Sequence, residues 1–166
     1  DYDNLLTVLE LGNIKLRAEM RNEKEPLIII GGPCATFNPE PLAAVADAFV
    51  IGEGEETVQK ILDTIYTNST KEEKLLNLAN LPGVYVPKYY TPEYNEDDEF
   101  VGMTHDERVP AKIARQWVKD IDAYPHTSAI VTSGTEFEDM YIVEVARGCG
   151  RHCRFCMAGY CFRKPR

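Results

Sequence analysis

Three cysteines near the C-terminal end, Cys149, Cys153 and Cys156, have the residue type and the spacing that metal chemistry requires. In the pattern Cys-x-x-x-Cys-x-x-Cys, one short glycine-bearing loop can direct three thiolates at one corner of an iron–sulfur cube. A 4Fe–4S cluster is normally held by four cysteine thiolates. Three thiolates leave one iron with an open position, where a substrate or cofactor can bind. The spacing therefore predicts a 4Fe–4S cluster with one open iron.

A fourth nearby cysteine, Cys161, keeps other kinds of metal site open. Four thiolates could close a tetrahedral zinc centre in an interaction module, or a closed cluster in a ferredoxin-like electron carrier. A disulfide framework is disfavoured, because five cysteines is an odd number and four of them crowd into residues 149–161. We interpret His152 as an exposed neighbour of the ligands and Cys34 as a small thiol that packs in a turn.

The elements ahead of this loop are expected to position it. The apolar segment Met140–Ala146 predicts a strand that leads directly into the loop. Residues 82–138 are rich in proline, tyrosine and acidic side chains, and we interpret them as a wrapping connector. Its strand candidates are residues 83–86, 112–118 and 129–131.

The first 81 residues alternate between helical and buried-strand patterns. The predicted elements are a helix over 3–11, a strand over 27–30, a helix over 38–47, a strand over 48–51, a helix with the apolar face Val58, Ile61, Leu62 and Ile65, and a helix from the capping box Thr70-x-x-Glu73 to Leu81. Such alternation is typical of an α/β fold with a parallel sheet. Because only two strands are visible, the pattern predicts the C-terminal half of a doubly wound domain.

Two glycine pairs follow the predicted strands: Gly31 and Gly32 after the first, Gly52 and Gly54 after the second. In an open parallel sheet, ligands bind outside the carboxyl ends of the strands, where glycines let the backbone approach a ligand. The four glycines are therefore candidates for lining a ligand crevice. Tight strand-to-helix turns explain the same residues equally well.

Charge is distributed unevenly along the 166 residues, whose formal net charge is −9. Residues 147–166 hold six of the 18 basic residues and none of the 27 acidic ones. The acidic remainder argues against non-specific nucleic-acid binding. The basic end could face an anion, a reductase or an RNA, or it could lie beside acidic surface. No apolar run approaches the ~20 residues that span a membrane.

The cysteine loop, with Arg147 and Gly148 before Cys149 and Phe155 before Cys156, resembles the signature of the radical S-adenosylmethionine (SAM) superfamily. The resemblance implies that the three cysteines hold the cluster and that Phe155 lies near the adenine of SAM. It implies that an electron from the cluster splits SAM to a 5′-deoxyadenosyl radical, with an unknown substrate and an electron-donating reductase as partners. An oxygen-sensitive cluster of this kind fits a reducing cytoplasm.

The glycine-bearing segments resemble the C-terminal half of the cobalamin-binding-type domain that precedes many radical SAM barrels. The similar runs are Ile30-Gly-Gly-Pro33, Asn38-Pro-Glu-Pro41 and residues 47–56. This resemblance implies a partial cobalamin-type domain over 1–81, a connector over 82–138, and the start of a partial (β/α) barrel over 139–166. Cobalamin is then a possible cofactor. We expect the chain to be an internal piece that is a poor catalyst alone.

Overall fold

The computed structural model describes residues 2–136, 138–151, 153–158 and 165–166. The chain divides into two compact units, Asp1–Val118 and Lys119–Arg166. The first unit contains a small mixed sheet with helices, and residues 82–118 of the predicted connector belong to it. The second unit contains the cysteine loop.

The sheet of the first unit has three short strands in the order β1-β2-β3. They are β1 (Ile29–Ile30), β2 (Ala48–Val50) and β3 (Val84–Tyr85). The central strand β2 pairs parallel with β1 and antiparallel with β3. The α/β class and the parallel pairing of the first two strands are therefore confirmed, whereas the antiparallel third strand differs from a fully parallel sheet. The doubly wound arrangement stays a prediction.

The direction of β3 follows from the two helices that precede it. A single crossover element between two strands returns the chain to the edge where it started and gives a parallel pair. Here α3 (Glu55–Thr67) and α4 (Lys71–Ala79) follow β2 in series and pack against each other. Because two helices carry the chain down and back up, β3 starts at the carboxyl edge of β2 and runs antiparallel to it.

Three of the helices, α1 (Tyr2–Leu11), α3 and α4, lie where local sequence signals predict them. At the start of α4, the Thr70 hydroxyl accepts a hydrogen bond from the Glu73 amide, and the Glu73 carboxylate accepts one from the Thr70 amide, which confirms the capping box. The apolar face of α3 is only partly covered, because Ile61 is buried while Val58 and Leu62 are exposed. The largest fully buried side chains of the core are those of Phe49, Leu78, Val84 and Val86.

The predicted helix over residues 38–47 is wrong. The helix in this part of the chain is α2 (Pro33–Phe37), and residues 40–42 form only a short 3-10 turn. Pro33 lies in the first turn of α2, where a missing amide proton costs nothing. Pro39 and Pro41 disfavour helical backbone at the residues before them, so a regular helix cannot run through this segment.

A β-hairpin occupies part of the predicted connector. The strand β4 (Tyr90–Tyr94) pairs antiparallel with β5 (Phe100–His105). The tight turn between them is closed by the Asn95 side chain, which accepts hydrogen bonds from the amides of Asp97 and Glu99. The candidate strand at 83–86 is confirmed as β3, while the candidates at 112–118 and 129–131 form no regular strand. The hairpin was not predicted because its acidic turn and Pro92 have the composition of a connector.

The second unit has little regular structure in its described residues. Residues 140–146, predicted as the first barrel strand, make one isolated antiparallel bridge, between Val143 and Thr127. The Glu144 amide donates to the His126 carbonyl at 2.8 Å, and Val145 is 92% exposed. A strand needs neighbours to satisfy its backbone groups, and the backbone hydrogen bonds found for this segment in the described chain go to residues 126 and 128. The barrel arrangement therefore stays a prediction.

Candidate functional site

The cysteine loop presents three thiols that are accessible to a metal. Cys153 is exposed, Cys149 and Cys156 are half-buried, and none of the three forms a disulfide. The Cys156 amide donates to the Cys153 carbonyl at 3.1 Å, which forms a turn between the second and third cysteines. Gly148, just ahead of the loop, has a φ of 100°, a backbone conformation that favours glycine.

The thiols are not gathered into a preformed metal centre. Among residues 2–136, 138–151, 153–158 and 165–166, no group of three or more His, Cys, Asp or Glu side chains is placed to hold a metal ion. His152 and Cys161 lie outside the described residues. The donor set nevertheless fits an iron–sulfur cluster in type and accessibility, since a cluster of this kind binds to cysteine thiolates. Metal binding commonly completes the folding of such a loop.

Basic residues and one aromatic residue are close to the three cysteines in the sequence. The ring of Phe155, the residue expected near adenine, is 92% exposed, so it is available to a planar ligand. Arg147 forms an ion pair with Glu144 at 2.8 Å, and this pairing lowers the pKa of the Glu144 carboxyl. The backbones of Arg147 and Arg166 exchange two hydrogen bonds of 2.9 Å, which tie the start of the loop to the last residue.

The crevice expected at the carboxyl edge of the sheet is partly filled by the chain itself. Gln116 lies beside Gly52, where its amide donates to the Ile51 carbonyl at 2.9 Å and its carbonyl accepts from the Glu53 amide at 3.0 Å. A Cβ atom added at Gly52 would stand 2.0 Å from the Gln116 carbonyl oxygen. Gly52 is therefore required for the close approach of residue 116.

Two further contacts close the same edge. The Gly52 amide donates to the Thr36 hydroxyl of α2 at 3.1 Å, so the segments that follow β1 and β2 meet. The buried carboxylate of Glu53 accepts a hydrogen bond from the Val118 amide at 2.5 Å. No local sequence pattern links positions 53 and 118, so this contact could not be predicted from the sequence.

The remaining crevice glycines lie in different surroundings. Gly31 and Gly32 are exposed after β1, and no atom lies within 4 Å of a Cβ added at Gly32. Gly54 precedes the first residue of α3. Gln116 therefore occupies the space beside Gly52, between the ends of β2 and β3, whereas the glycines after β1 stay open.

Substituting Gly52 by alanine tests whether the backbone of Gln116 lies against this glycine. We expect Gly52→Ala to lower the free energy of unfolding by about 2–3 kcal/mol, because the new methyl group meets the backbone of Gln116 and the residue has a φ of 110°. Urea denaturation followed by circular dichroism measures this loss.

Gly32→Ala is the matched control, since Gly32 also has a positive φ but has open space around it. It should suffer the backbone strain without the steric contact, and therefore a smaller loss of stability. Equal losses for the two variants would show that residue 116 does not press against Gly52.

No helix in the described part of the chain is long and apolar enough to cross a bilayer.

Comparisons with known proteins place the chain among its relatives. Residues 1–87 match the family model described as radical SAM proteins, N-terminal. The chain is 27% identical to an uncharacterized protein of Methanocaldococcus jannaschii over 174 aligned residues. That alignment covers 100% of this chain and 32% of the archaeal protein, so the chain spans about a third of that relative. No solved structure matches the chain.

Proposed function

This chain belongs to the radical SAM proteins, and from that premise we propose that it contributes the cluster-binding loop of an enzyme that cleaves SAM reductively. Cys149, Cys153 and Cys156 would hold the 4Fe–4S cluster as thiolates. The observation that carries this proposal is the presence of three accessible thiols, free of disulfides, at the signature spacing in a member of that family. The M. jannaschii relative extends well beyond this chain, so the activity of a whole protein is part of the proposal.

Held by these three thiolates, a cluster would supply the electron that cleaves SAM reductively to methionine and a 5′-deoxyadenosyl radical. The residues of this chain bind and orient. Three thiolates leave one iron open, and the exposed ring of Phe155 offers a face on which adenine can stack. Arg151 and Arg154 place positive charge between the ligands in sequence, which favours an anionic thiolate–cluster assembly.

The partners in this proposal are an unidentified substrate and an electron-donating reductase. The cationic end of the chain suits an acidic electron donor, because opposite surface charges speed encounter. We assign the enzyme to a reducing cytoplasm, where thiols stay reduced. From this chain by itself we expect SAM binding rather than full turnover.

Electron paramagnetic resonance (EPR) spectroscopy tests the proposed function. The protein is reconstituted anaerobically with iron and sulfide, reduced, and measured with and without SAM. We expect a 4Fe–4S signal that shifts when SAM is added, since SAM would bind the open iron. Stoichiometric zinc in place of iron would contradict the proposal.

A cluster signal that ignores SAM would also count against it, and the Cys161→Ser variant identifies the reason. If that variant gains a response to SAM, Cys161 had closed the site, as in an electron carrier. If the iron-binding variant still ignores SAM, this chain lacks the proposed SAM-binding function.

A further inference from the structure

A cavity of about 650 Å³ lies in the first unit, at the opposite end of β2 from the glycine edge. Ala46 and Asp47 line it and lead directly into the amino end of β2, whereas Gly52 follows the carboxyl end of that strand. Cavities that bind small molecules have volumes of roughly 300–1,000 Å³. This cavity therefore has the size of a small-molecule site, and neither the cysteine loop nor the glycine segments contribute to it.

The most buried cation in its wall, Arg21, has no hydrogen-bonding capacity left for a ligand. A guanidinium has five N–H donors. In Arg21 they reach the carboxylate of Asp47 at 2.7 and 3.2 Å, and the carbonyls of Lys15, Leu16 and Val45 at 2.7, 3.1 and 2.5 Å. Its side chain is 0% exposed. Arg21 therefore stabilises the wall of the cavity and has no N–H donor left to bind an anion.

The second cation of the wall, Lys71, is saturated in the same way. An ammonium group has three donors. The Lys71 ammonium contacts the carbonyls of Ala18 and Arg21 at 3.2 and 2.8 Å and the Asp47 carboxylate at 3.1 Å. Lys88 is paired with Glu72 at the exposed rim. The positive charges of the lining are therefore largely neutralised within the protein.

The carboxylate of Glu40 has a different environment. Its hydrogen-bond partner is the neutral hydroxyl of Tyr85, which donates to it at 2.6 Å. Burial, and then this hydrogen bond, raise the pKa of Tyr85, so the phenol stays protonated and remains a donor. In the described part of the chain no Lys, Arg or His forms an ion pair with Glu40. The exposed Glu40 therefore has an available negative charge on the cavity wall.

Aromatic rings lie beside this carboxylate. The ring centroids of Tyr85 and Tyr90 are 5.1 Å apart with a 58° tilt. The Tyr90 hydroxyl is already committed as a donor to the Pro110 carbonyl at 2.7 Å. Tyr85 and Tyr90 are 5% and 7% exposed, so they add a small area of ring and no free hydroxyl to the lining. A carboxylate next to tyrosine rings is an arrangement that stabilises a cation by charge and by cation–π attraction.

We propose that this cavity binds a small organic cation, an amine, amidine or guanidine on a flat or apolar body, with Glu40 as its counter-ion. The tyrosine rings and the apolar side chains of Ala43 and Leu75 would contact the body of the ligand. The lining contains five carboxylates and four cations, so its net charge favours a cation over an anion. This binding site is independent of the iron–sulfur chemistry proposed above.

Three probes of nearly equal shape test the proposal: benzamidine, which is cationic, benzamide, which is neutral, and benzoate, which is anionic. Each is titrated to ~10 mM into the isotope-labelled chain under reducing conditions, because a ligand of this size is expected to bind at about 1 mM. Backbone amide shifts in two-dimensional NMR spectra report where it binds. We expect benzamidine alone to shift amides at the cavity, including those of Ala18, Ala43 and Leu75.

The Glu40→Gln variant should weaken benzamidine binding by about tenfold, since it removes the charge but keeps an oxygen that can accept from Tyr85. Glu96→Gln, in the exposed hairpin turn, is the matched control and should bind like the unmodified chain. Equal binding of benzamide or benzoate, shifts confined to other regions, no shifts, or unchanged affinity in Glu40→Gln would each overturn the proposal. Because Glu40 is exposed, the variant should keep the native spectrum.

Discussion

Cys153→Ser should abolish iron–sulfur cluster binding in the reconstituted protein. The unmodified chain is expected to bind about four iron atoms, held by three thiolates, and a serine hydroxyl replaces a thiolate poorly. Cys153 is exposed, so the change should leave the fold intact and act only on the metal. Iron and sulfide analysis, the visible absorbance of the cluster, and the EPR signal that shifts when SAM is added measure the loss. We expect all three signals to fall to background.

Two other cysteines provide the controls. Cys34 lies in α2 of the first unit, so the Cys34→Ser variant should bind as much iron as the unmodified chain. Cys161→Ser should also keep the cluster, because three thiolates suffice, whereas a four-thiolate zinc site would bind its metal more weakly. Retention of a full cluster by Cys153→Ser would remove this residue from the ligand set and with it the proposed loop function.

Asp47→Ala should produce the largest loss of stability in the first unit. The Asp47 side chain is 1% exposed and contacts both Arg21 and Lys71. It also accepts a hydrogen bond from the Ile28 amide at 2.8 Å, next to the start of β1. Removing one partner of a buried ion pair costs about 3–5 kcal/mol, because the remaining charge stays buried without a counter-ion. Urea unfolding followed by circular dichroism measures the change.

The control for this effect is Asp63→Ala, an exposed aspartate on α3 whose carboxylate contacts only Gln59 within that helix in the described structure. It should change the free energy of unfolding by no more than about 0.5 kcal/mol. Asp47→Asn should lie between the two, since the amide oxygen can still accept from Ile28 or Arg21. A loss in Asp47→Ala as small as that of Asp63→Ala would mean that the buried network does not stabilise the unit.

Elements governed by neighbouring residues were predictable. The capping box at Thr70, the alternation that predicts β1 and β2, and the periodicity of α3 each depend on side chains within a few positions of one another. The predicted helix over 38–47 failed because two prolines outweighed its capping signal. The hairpin β4–β5 was missed because its acidic turn resembles a linker in composition.

The carboxyl edge of the sheet could not be predicted from local patterns. The glycines after β2 indicated close approach of another group, and the structure shows that at Gly52 this group is the backbone of Gln116. Glutamine has no signature at that position, and the Glu53–Val118 hydrogen bond links residues 65 positions apart. A glycine in the sequence can thus indicate that another group comes close to the backbone. Which group this is depends on the folded chain.

The sequence by itself determined the metal-binding chemistry proposed for this protein, because ligand type and spacing are properties of one short loop, and it determined the α/β class through periodicity. Tertiary structure alone decided the direction of β3, the filling of the glycine edge and the ion network of Asp47, whose partner Arg21 is 26 residues away. Such contacts depend on which distant segments meet, and pairs so far apart leave no repeating pattern in the chain.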